Sequence, residues 1–418
     1  MTAPSITPIP EKSSATTKLK NPVVETSEYA YKATNLVKIS EDGVKSSAKY
    51  IRNKLRTESY TPRTWRTHPL HICPSEPYNA ADPSNKTVLD WIFLISTLNF
   101  SFWSEKEGLP ERYGVEWKTG WGQRDRKVFT GYWSLVASLN RALVDDKIPI
   151  IDPCFYSSDT LCPDSLIQHV FRPSPQSTEA IPLLPQRIAI MREVGLILCN
   201  SFGGSYQGLI AEFQRRHDGQ GTALDLVKMV TETFPSFRDE VYLNGRKIYL
   251  WKRAQILVAE TWAAFYPPSH SAPHPLFPGK RGPAIQHLTM FADYRVPQIL
   301  HHLRILEYPP TLMRLLNAGT ALAPGSREEV SLRAASIIAV EKVREEILRI
   351  ISAEKEREFD KAGVTLFQQG EDVDAVSSVV IDFYLWDLAK KIESGEEKVE
   401  SIQTAEIVPI HRTRSIWY

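Results

Sequence analysis

The chain is poor in the residues that build the commonest site types. It has four cysteines in 418 residues, Cys73, Cys154, Cys162 and Cys199. None forms a CxxC pair and no histidine stands at ligand spacing to them, which excludes a zinc finger or ribbon. So few cysteines also argue against a disulfide framework, and reduced thiols in a cytoplasmic protein are expected. Long apolar runs are missing. The longest, 91–103, is broken by Ser96, Thr97, Asn99 and Ser101 and falls short of the roughly 20 residues that span a bilayer, so no membrane partner is expected. The N-terminus lacks the apolar core of a secretory signal. An excess of one charge is missing too: 50 Lys and Arg against 49 Asp and Glu leave a formal net charge of +1. Tracking a nucleic-acid backbone draws on many phosphate contacts, so no direct nucleic-acid partner is expected and a DNA-glycosylase role is disfavoured. The P-loop, a GxGxxG after a strand, GxSxG and HExxH are all absent. Neither a cofactor nor a metal is therefore expected.

Aromatic residues are abundant, with 10 Trp, 16 Tyr and 16 Phe. Such an excess builds either a thick core or a stacking pocket for a flat ligand. Two clusters stand out, Asn99-Phe-Ser-Phe-Trp103 and Phe129-Thr-Gly-Tyr-Trp133, flanking a loop that holds Trp117 and Trp121. Polar residues are interleaved in both, which a pure core segment rarely shows. Core packing is the alternative for each ring taken singly.

Hydrophobic periodicity is mostly helical. Helices are expected over 47–56, over 186–200, from a Thr222 cap through Phe234, over 253–265, from Pro297, over 331–351 and over 376–392. Asn244-Gly245 between apolar runs predicts a short hairpin over 241–250. Strand patterns elsewhere are too few for a sheet. The expectation is a mainly α protein with at most a short hairpin: a disordered tail over 1–28, then one helical body over 29–418.

Three further segments carry chemistry-bearing residues. Asp239 follows a Phe-Pro-Ser loop, where it either receives an amine or hydroxyl or pairs with a surface arginine. Lys252 opens an apolar helical run, as a phosphate ligand, electrostatic catalyst or nucleophile, or as a snorkelling side chain. Asp293 precedes the helix at Pro297, where free N–H groups favour the ionised carboxylate that oxocarbenium chemistry requires; a plain cap is the alternative. Phe291, Tyr294, Arg295 and Gln298 place stacking, charge and hydrogen bonding within two turns of it.

Eight blocks in order resemble one known family: Leu98-Asn-Phe-Ser-Phe-Trp103, Phe129-Thr-Gly-Tyr-Trp-Ser-Leu135, Asn140-Arg-Ala-Leu143, Ile148-Pro-Ile150, Leu250-Trp-Lys-Arg-Ala-Gln-Ile-Leu257, Phe291-Ala-Asp-Tyr-Arg-Val-Pro-Gln298, Ile381-Asp-Phe-Tyr-Leu-Trp386 and His411-Arg-Thr-Arg-Ser-Ile-Trp-Tyr418. The chain resembles the queuosine 5′-phosphate N-glycosylase/hydrolase family of queuosine salvage proteins. The departures are the N-terminal tail, the loop at 267–283 and the charged stretches at 354–375 and 393–400.

The resemblance implies a fold similar to helix-hairpin-helix DNA glycosylases. It implies hydrolysis of the N-glycosidic bond of queuosine 5′-monophosphate, releasing queuine for salvage into tRNA. Lys252 and Asp293 then fit the two residues that flank the sugar. Under that reading Phe100, Trp103, Tyr132 and Trp133 are stacking candidates for the flat base, with Tyr294 beside Asp293 among the binding residues. Asp239 or Asp382 would face the secondary ammonium of the cyclopentenediol arm. Arg295, Lys252 and the His301/His302 pair are candidates for the phosphate. The competing class is a non-catalytic queuine- or nucleotide-binding module, or one associated with tRNA.

Overall fold

The computed structural model describes residues 21–269, 272–280, 282–362 and 376–418. Helices α1 (Pro22–Thr34), α2 (Glu41–Thr57) and α3 (Ser84–Thr97) open the described chain. After them come α4 (Tyr132–Val144), α5 (Pro153–Tyr156), α6 (Asp164–Val170), α7 (Leu184–Ser201), α8 (Tyr206–Arg216) and α9 (Ala223–Thr233). The last five are α10 (Lys252–Ala264), α11 (Val296–His302), α12 (Pro310–Asn317), α13 (Arg327–Ala362) and α14 (Ser378–Glu393). The body is mainly α, as its periodicity predicts.

The core is built around α10. Every residue from Lys252 to Ala264 is buried, and α10 packs against α3 and α9. Helix α3 is buried without interruption from Val88 to Thr97, which explains why its sequence reads as an apolar run with no polar face. Each fully buried Leu, Ile or Phe in this contact contributes about 1.5–3 kcal/mol of transfer free energy. A second layer forms along α13, where α1, α2 and α14 pack over Val330, Ile337, Val340, Val343 and Ile347. The Thr222 hydroxyl caps α9 by accepting the Asp225 amide, while the Asp225 carboxylate returns to the Thr222 amide, a reciprocal capping box.

Three details differ from the sequence reading. Residues 22–28, assigned to the tail, are helical. Asn21 Oδ1 accepts the Val23 amide at 2.9 Å, Pro22 opens the helix, and Val23 and Ala30 are buried, so cap and core contact outweigh the tail-like composition. Residues 1–20 lie outside the described residues. Second, the single expected hairpin, β4 (Glu240–Leu243) with β5 (Arg246–Tyr249), is joined by two more antiparallel pairs. These are β2 (Gly114–Lys118) with β3 (Arg126–Thr130), and the two-residue pair β1 (Lys38–Ile39) with β6 (Leu306–Glu307). In β2 the buried Val115 and Trp117 alternate with half-buried Glu116 and Lys118, a period of two hidden behind the reading of Trp117 as a loop aromatic. Third, the four cysteines are not all reduced. Packing of α5 against α7 sets the Cα atoms of Cys154 and Cys199 5.9 Å apart and they form a disulfide, while Cys73 and Cys162 are free.

Candidate active site

A cavity of about 360 Å³ opens between α4, α10, α14 and the loop that leads into α11. That is the size range of small-ligand pockets. Its walls include Tyr132, Trp133, Lys252, Glu260, Asp293, Tyr294, Arg295, Asp382 and Trp386.

Lys252 is the first residue of α10. The residue before it, Trp251, has φ 50° and ψ 34°, a left-handed conformation that costs a bulky residue about 1–3 kcal/mol. Asp239 holds it there. Its backbone carbonyl accepts the Leu250 and Trp251 amides at 3.0 and 3.1 Å, and its carboxylate accepts the Lys252 amide at 3.2 Å. The same carboxylate is gripped by Arg333 through two bonds of 3.0 and 2.5 Å. Asp239 is therefore a buried anchor for the α10 start and does not line the cavity.

The Lys252 ammonium donates to the Asn99 backbone carbonyl at 2.9 Å and to Asn99 Oδ1 at 3.1 Å. Asn99 is held in turn by two arginines buried beside it. Arg187 donates to the carbonyls of Leu98 and Phe100, and Arg253 donates to those of Thr97 and Ser236. Burial lowers the Lys252 pKa to about 8, with Asp293 opposing the shift. The ammonium thus stays mostly charged at neutral pH.

Asp293 Oδ1 accepts the amides of Arg295 and Val296, both at 2.8 Å, at the start of α11. Burial raises its pKa, while Lys252 and the two amides pull the other way. Asp382, from α14, accepts the Phe291 amide at 3.0 Å. Burial, reinforced by the charge of Asp293, pushes its pKa well up. Both carboxyl groups are raised by burial, but the amides and Lys252 favour the ionised form of Asp293, whereas the neighbouring charge of Asp293 disfavours it for Asp382.

The aromatic candidates divide. Tyr132 and Trp133 line the cavity, aimed there by Gly131, whose φ 61° and ψ −141° suit only glycine. Trp133 stacks on His68 at 3.6 Å and meets Trp386 edge-on. Tyr294 also lines the cavity. Phe100 does not: it is fully buried, with the Arg187 and Arg253 guanidinium groups 4.3 and 5.1 Å from its ring centre. Trp103 does not either. Its indole N–H donates to the Thr413 carbonyl at 2.9 Å and Arg414 lies 3.5 Å from its ring centre. The His301/His302 pair also turns elsewhere. His301 stacks on Tyr308 and His302 bonds the Ala405 carbonyl. Arg295 lines the cavity and pairs with Glu393 at 3.0 Å, joined there by Arg112 and Lys390.

Sequence reasoning missed Glu260, Trp386, Asp387 and His68. For Glu260 and Trp386 a signal existed: Lys252, Ile256 and Glu260 repeat at i, i+4 and i+8 on α10, as Asp382, Trp386 and Lys390 do on α14, which places each set on one helix face. His68 lies in a proline-rich loop with no period to read. Among the described residues no group of three or more His, Cys, Asp or Glu side chains is placed to hold a metal ion. No helix among them is long and apolar enough to cross a membrane.

Fold and cavity together define a mainly α protein with an aromatic-walled pocket of small-ligand size, lined by carboxyl groups and cations. A relative from Schizosaccharomyces pombe, named queuosine 5′-phosphate N-glycosylase/hydrolase, is 38% identical over 404 residues, covering 95% of this chain and 99% of the relative. Relatives of the same name from Nematostella vectensis and Mus musculus are each 34% identical, over 91% and 80% of this chain and 94% and 83% of their own lengths. The family model described as queuosine salvage protein matches residues 78–418. The chain belongs to the queuosine salvage protein family.

Proposed function

We propose that the cavity hydrolyses the N-glycosidic bond of queuosine 5′-monophosphate to queuine and ribose 5-phosphate. The observation that carries this reading is the placement of Asp293: a carboxylate held by two amides, electrostatically coupled to Lys252, in an aromatic-walled cavity. The relatives bearing that activity in their names support it.

In the reaction the bond between the base and the anomeric carbon breaks, and its electron pair leaves with the base. A 7-deazapurine has no N7 to protonate, so most of the assistance must go to the sugar. Asp293 is assigned to offset the positive charge growing on the ribosyl ring and then accept a proton from the attacking water. The water oxygen bonds to the anomeric carbon as its proton passes to Asp293, and the departing base takes up a proton from solvent. Asp382, whose pKa burial and the charge of Asp293 push well up, is assigned to the substrate's secondary ammonium, whose charge favours the ionised carboxylate. Arg112, Arg295 and Lys390 supply cations for the phosphate, and Tyr132, Trp133 and Tyr294 supply rings for the base. Lys252 keeps Asp293 ionised.

Incubating the pure protein with queuosine 5′-monophosphate and separating the products tests the reading. The wild type is expected to release queuine, and a folded Asp293→Asn variant to lose at least 10²-fold in kcat, the scale of general acid–base catalysis. Intact ligand with wild-type protein would leave a binding module instead. A cytoplasmic location belongs to the same proposal and is checked by cell fractionation.

A further inference from the structure

Five carboxyl groups line the cavity: Glu107, Glu260, Asp293, Asp382 and Asp387. Four are engaged by close partners. Glu107 takes Arg112 at 2.5 Å, Asp387 takes the Tyr60 hydroxyl at 2.6 Å, Asp293 takes two amides and Asp382 takes one. Glu260 is different. Its two oxygens each accept one long bond, from the Ser96 hydroxyl at 3.2 Å and from the Tyr132 hydroxyl at 3.3 Å. It is only 6% exposed, and among the described residues no cation is bonded to it. An ionised carboxylate offers about four acceptor positions, so both oxygens keep capacity toward the cavity. Burying such a group without a full set of donors is costly. Burial outweighs the Ser96 and Tyr132 hydroxyls and raises its pKa to about 7, so a ligand that brings donors to both oxygens shifts it to the charged form near neutral pH.

The geometry around this carboxyl is that of a slot for a flat ring. Tyr132 and Trp65 flank it, and Trp65 continues into a stack with His71, with ring centres 4.0 Å apart. Glu260 sits two turns along α10 from Lys252 on the same helix face, about 12 Å in rise. If Lys252 and Asp293 mark the sugar, Glu260 lies toward the far side of the base. A 7-deazaguanine presents there two adjacent donors, the ring N1–H and the 2-amino group, in one plane. A carboxylate whose two oxygens each keep an acceptor position is their complement.

We propose that Glu260 reads this edge of the base, accepting from N1–H and from the 2-amino group, and so sets the enzyme's specificity for a guanine-type base. The inference rests on the reading that queuosine 5′-monophosphate enters this cavity. It makes Glu260 a specificity-determining residue, outside the bond-breaking step.

The test pairs a protein change with a substrate change. Wild type and Glu260→Gln are assayed on queuosine 5′-monophosphate and on its counterpart lacking the 2-amino group. Removing the amino group is expected to cost the wild type roughly tenfold to a hundredfold in kcat/KM, the range for a bidentate base contact. Glu260→Gln is expected to lose a similar factor on the intact substrate and to be indifferent to the amino group. Equal losses from the missing amino group in both proteins would overturn the proposal. A wild type that ignores the amino group would overturn it even if the variant failed to fold. A third substrate, without the cyclopentenediol arm, covers the other ligand for a carboxylate. If the variant's deficit vanishes on that substrate, Glu260 holds the ammonium and the proposal falls. Calorimetry with queuine keeps this separate from the hydrolysis reading. Binding weakened by Glu260→Gln without any turnover sinks the hydrolysis alone; turnover with unchanged queuine affinity sinks the Glu260 role alone.

Discussion

The segments 99–103 and 129–133 have almost the same composition, aromatic rings interleaved with small polar residues, and they meet opposite fates. In the first, Phe100 and Trp103 face guanidinium groups and are sealed in the core. In the second, Tyr132 and Trp133 are half-buried on the cavity wall. Ring content does not separate them. What does is the company each backbone keeps. The carbonyls around Phe100 are taken by Arg187 and Arg253, which pulls the rings inward as covers for buried charge. The second segment starts a helix at Gly131 and presents its first two rings to open space. The first segment still reaches the cavity, through Asn99, whose two oxygens hold the Lys252 ammonium.

The sharpest way to break this comparison is Phe100→Ala. It deletes a fully buried ring and leaves two arginines uncovered, so a stability loss of about 3–5 kcal/mol is expected in chemical denaturation. A loss under 1 kcal/mol would make the two segments equivalent after all. Next is Glu260→Gln, which addresses the cavity side. Burial raises the Glu260 pKa to about 7 from an ordinary 4.5. A carboxyl whose pKa is raised on folding favours the native state while protonated and loses that contribution as pH climbs through the folded value. The amide mimics the protonated form. The variant is expected to melt like wild type near pH 4 and to be more stable above pH 7, by up to about 3 kcal/mol at 1.36 kcal/mol per unit. A pH-independent difference in melting temperature contradicts this.

Trp133→Ala comes third. Loss of one stacking ring is expected to weaken substrate binding by about 1–3 kcal/mol, read as a rise in KM, with kcat changed less. The smallest effect is Trp103→Phe, which removes one buried hydrogen bond to Thr413 at about 1 kcal/mol and leaves KM where it was. If Trp103→Phe moved KM and Trp133→Ala did not, the assignment of the two segments would be reversed. The pH–rate profile adds a check on Lys252. With its pKa near 8, kcat/KM is expected to fall on the alkaline side as the ammonium loses its proton and ceases to support Asp293.

Much of the fold is legible because helical periodicity is a local signal. Thr222 capping α9, Pro297 in the first turn of α11 and Asn244-Gly245 between β4 and β5 each act within a few residues. The pairing of β1 with β6 joins positions far apart in the chain over two residues, too short for any period. At the site, Lys252 and Asp293 meet in one cavity as the family blocks imply. Asp239 could not be placed from sequence, because its role depends on Arg333, a residue 94 positions away. Glu260 shares a helix face with Lys252, yet that helix is buried on all sides, where a single acidic residue looks like an accident of composition.

That helix also limits how the pocket can change. Lys252, Ile256 and Glu260 keep a common azimuth only because four-residue steps nearly match the 3.6-residue turn. Inserting a single residue between Lys252 and Glu260 would swing the downstream side chains by about 100°, carrying the carboxyl out of the cavity and into the α3 or α9 contact. Point substitutions can retune this pocket, but its length along α10 can grow or shrink only by whole turns.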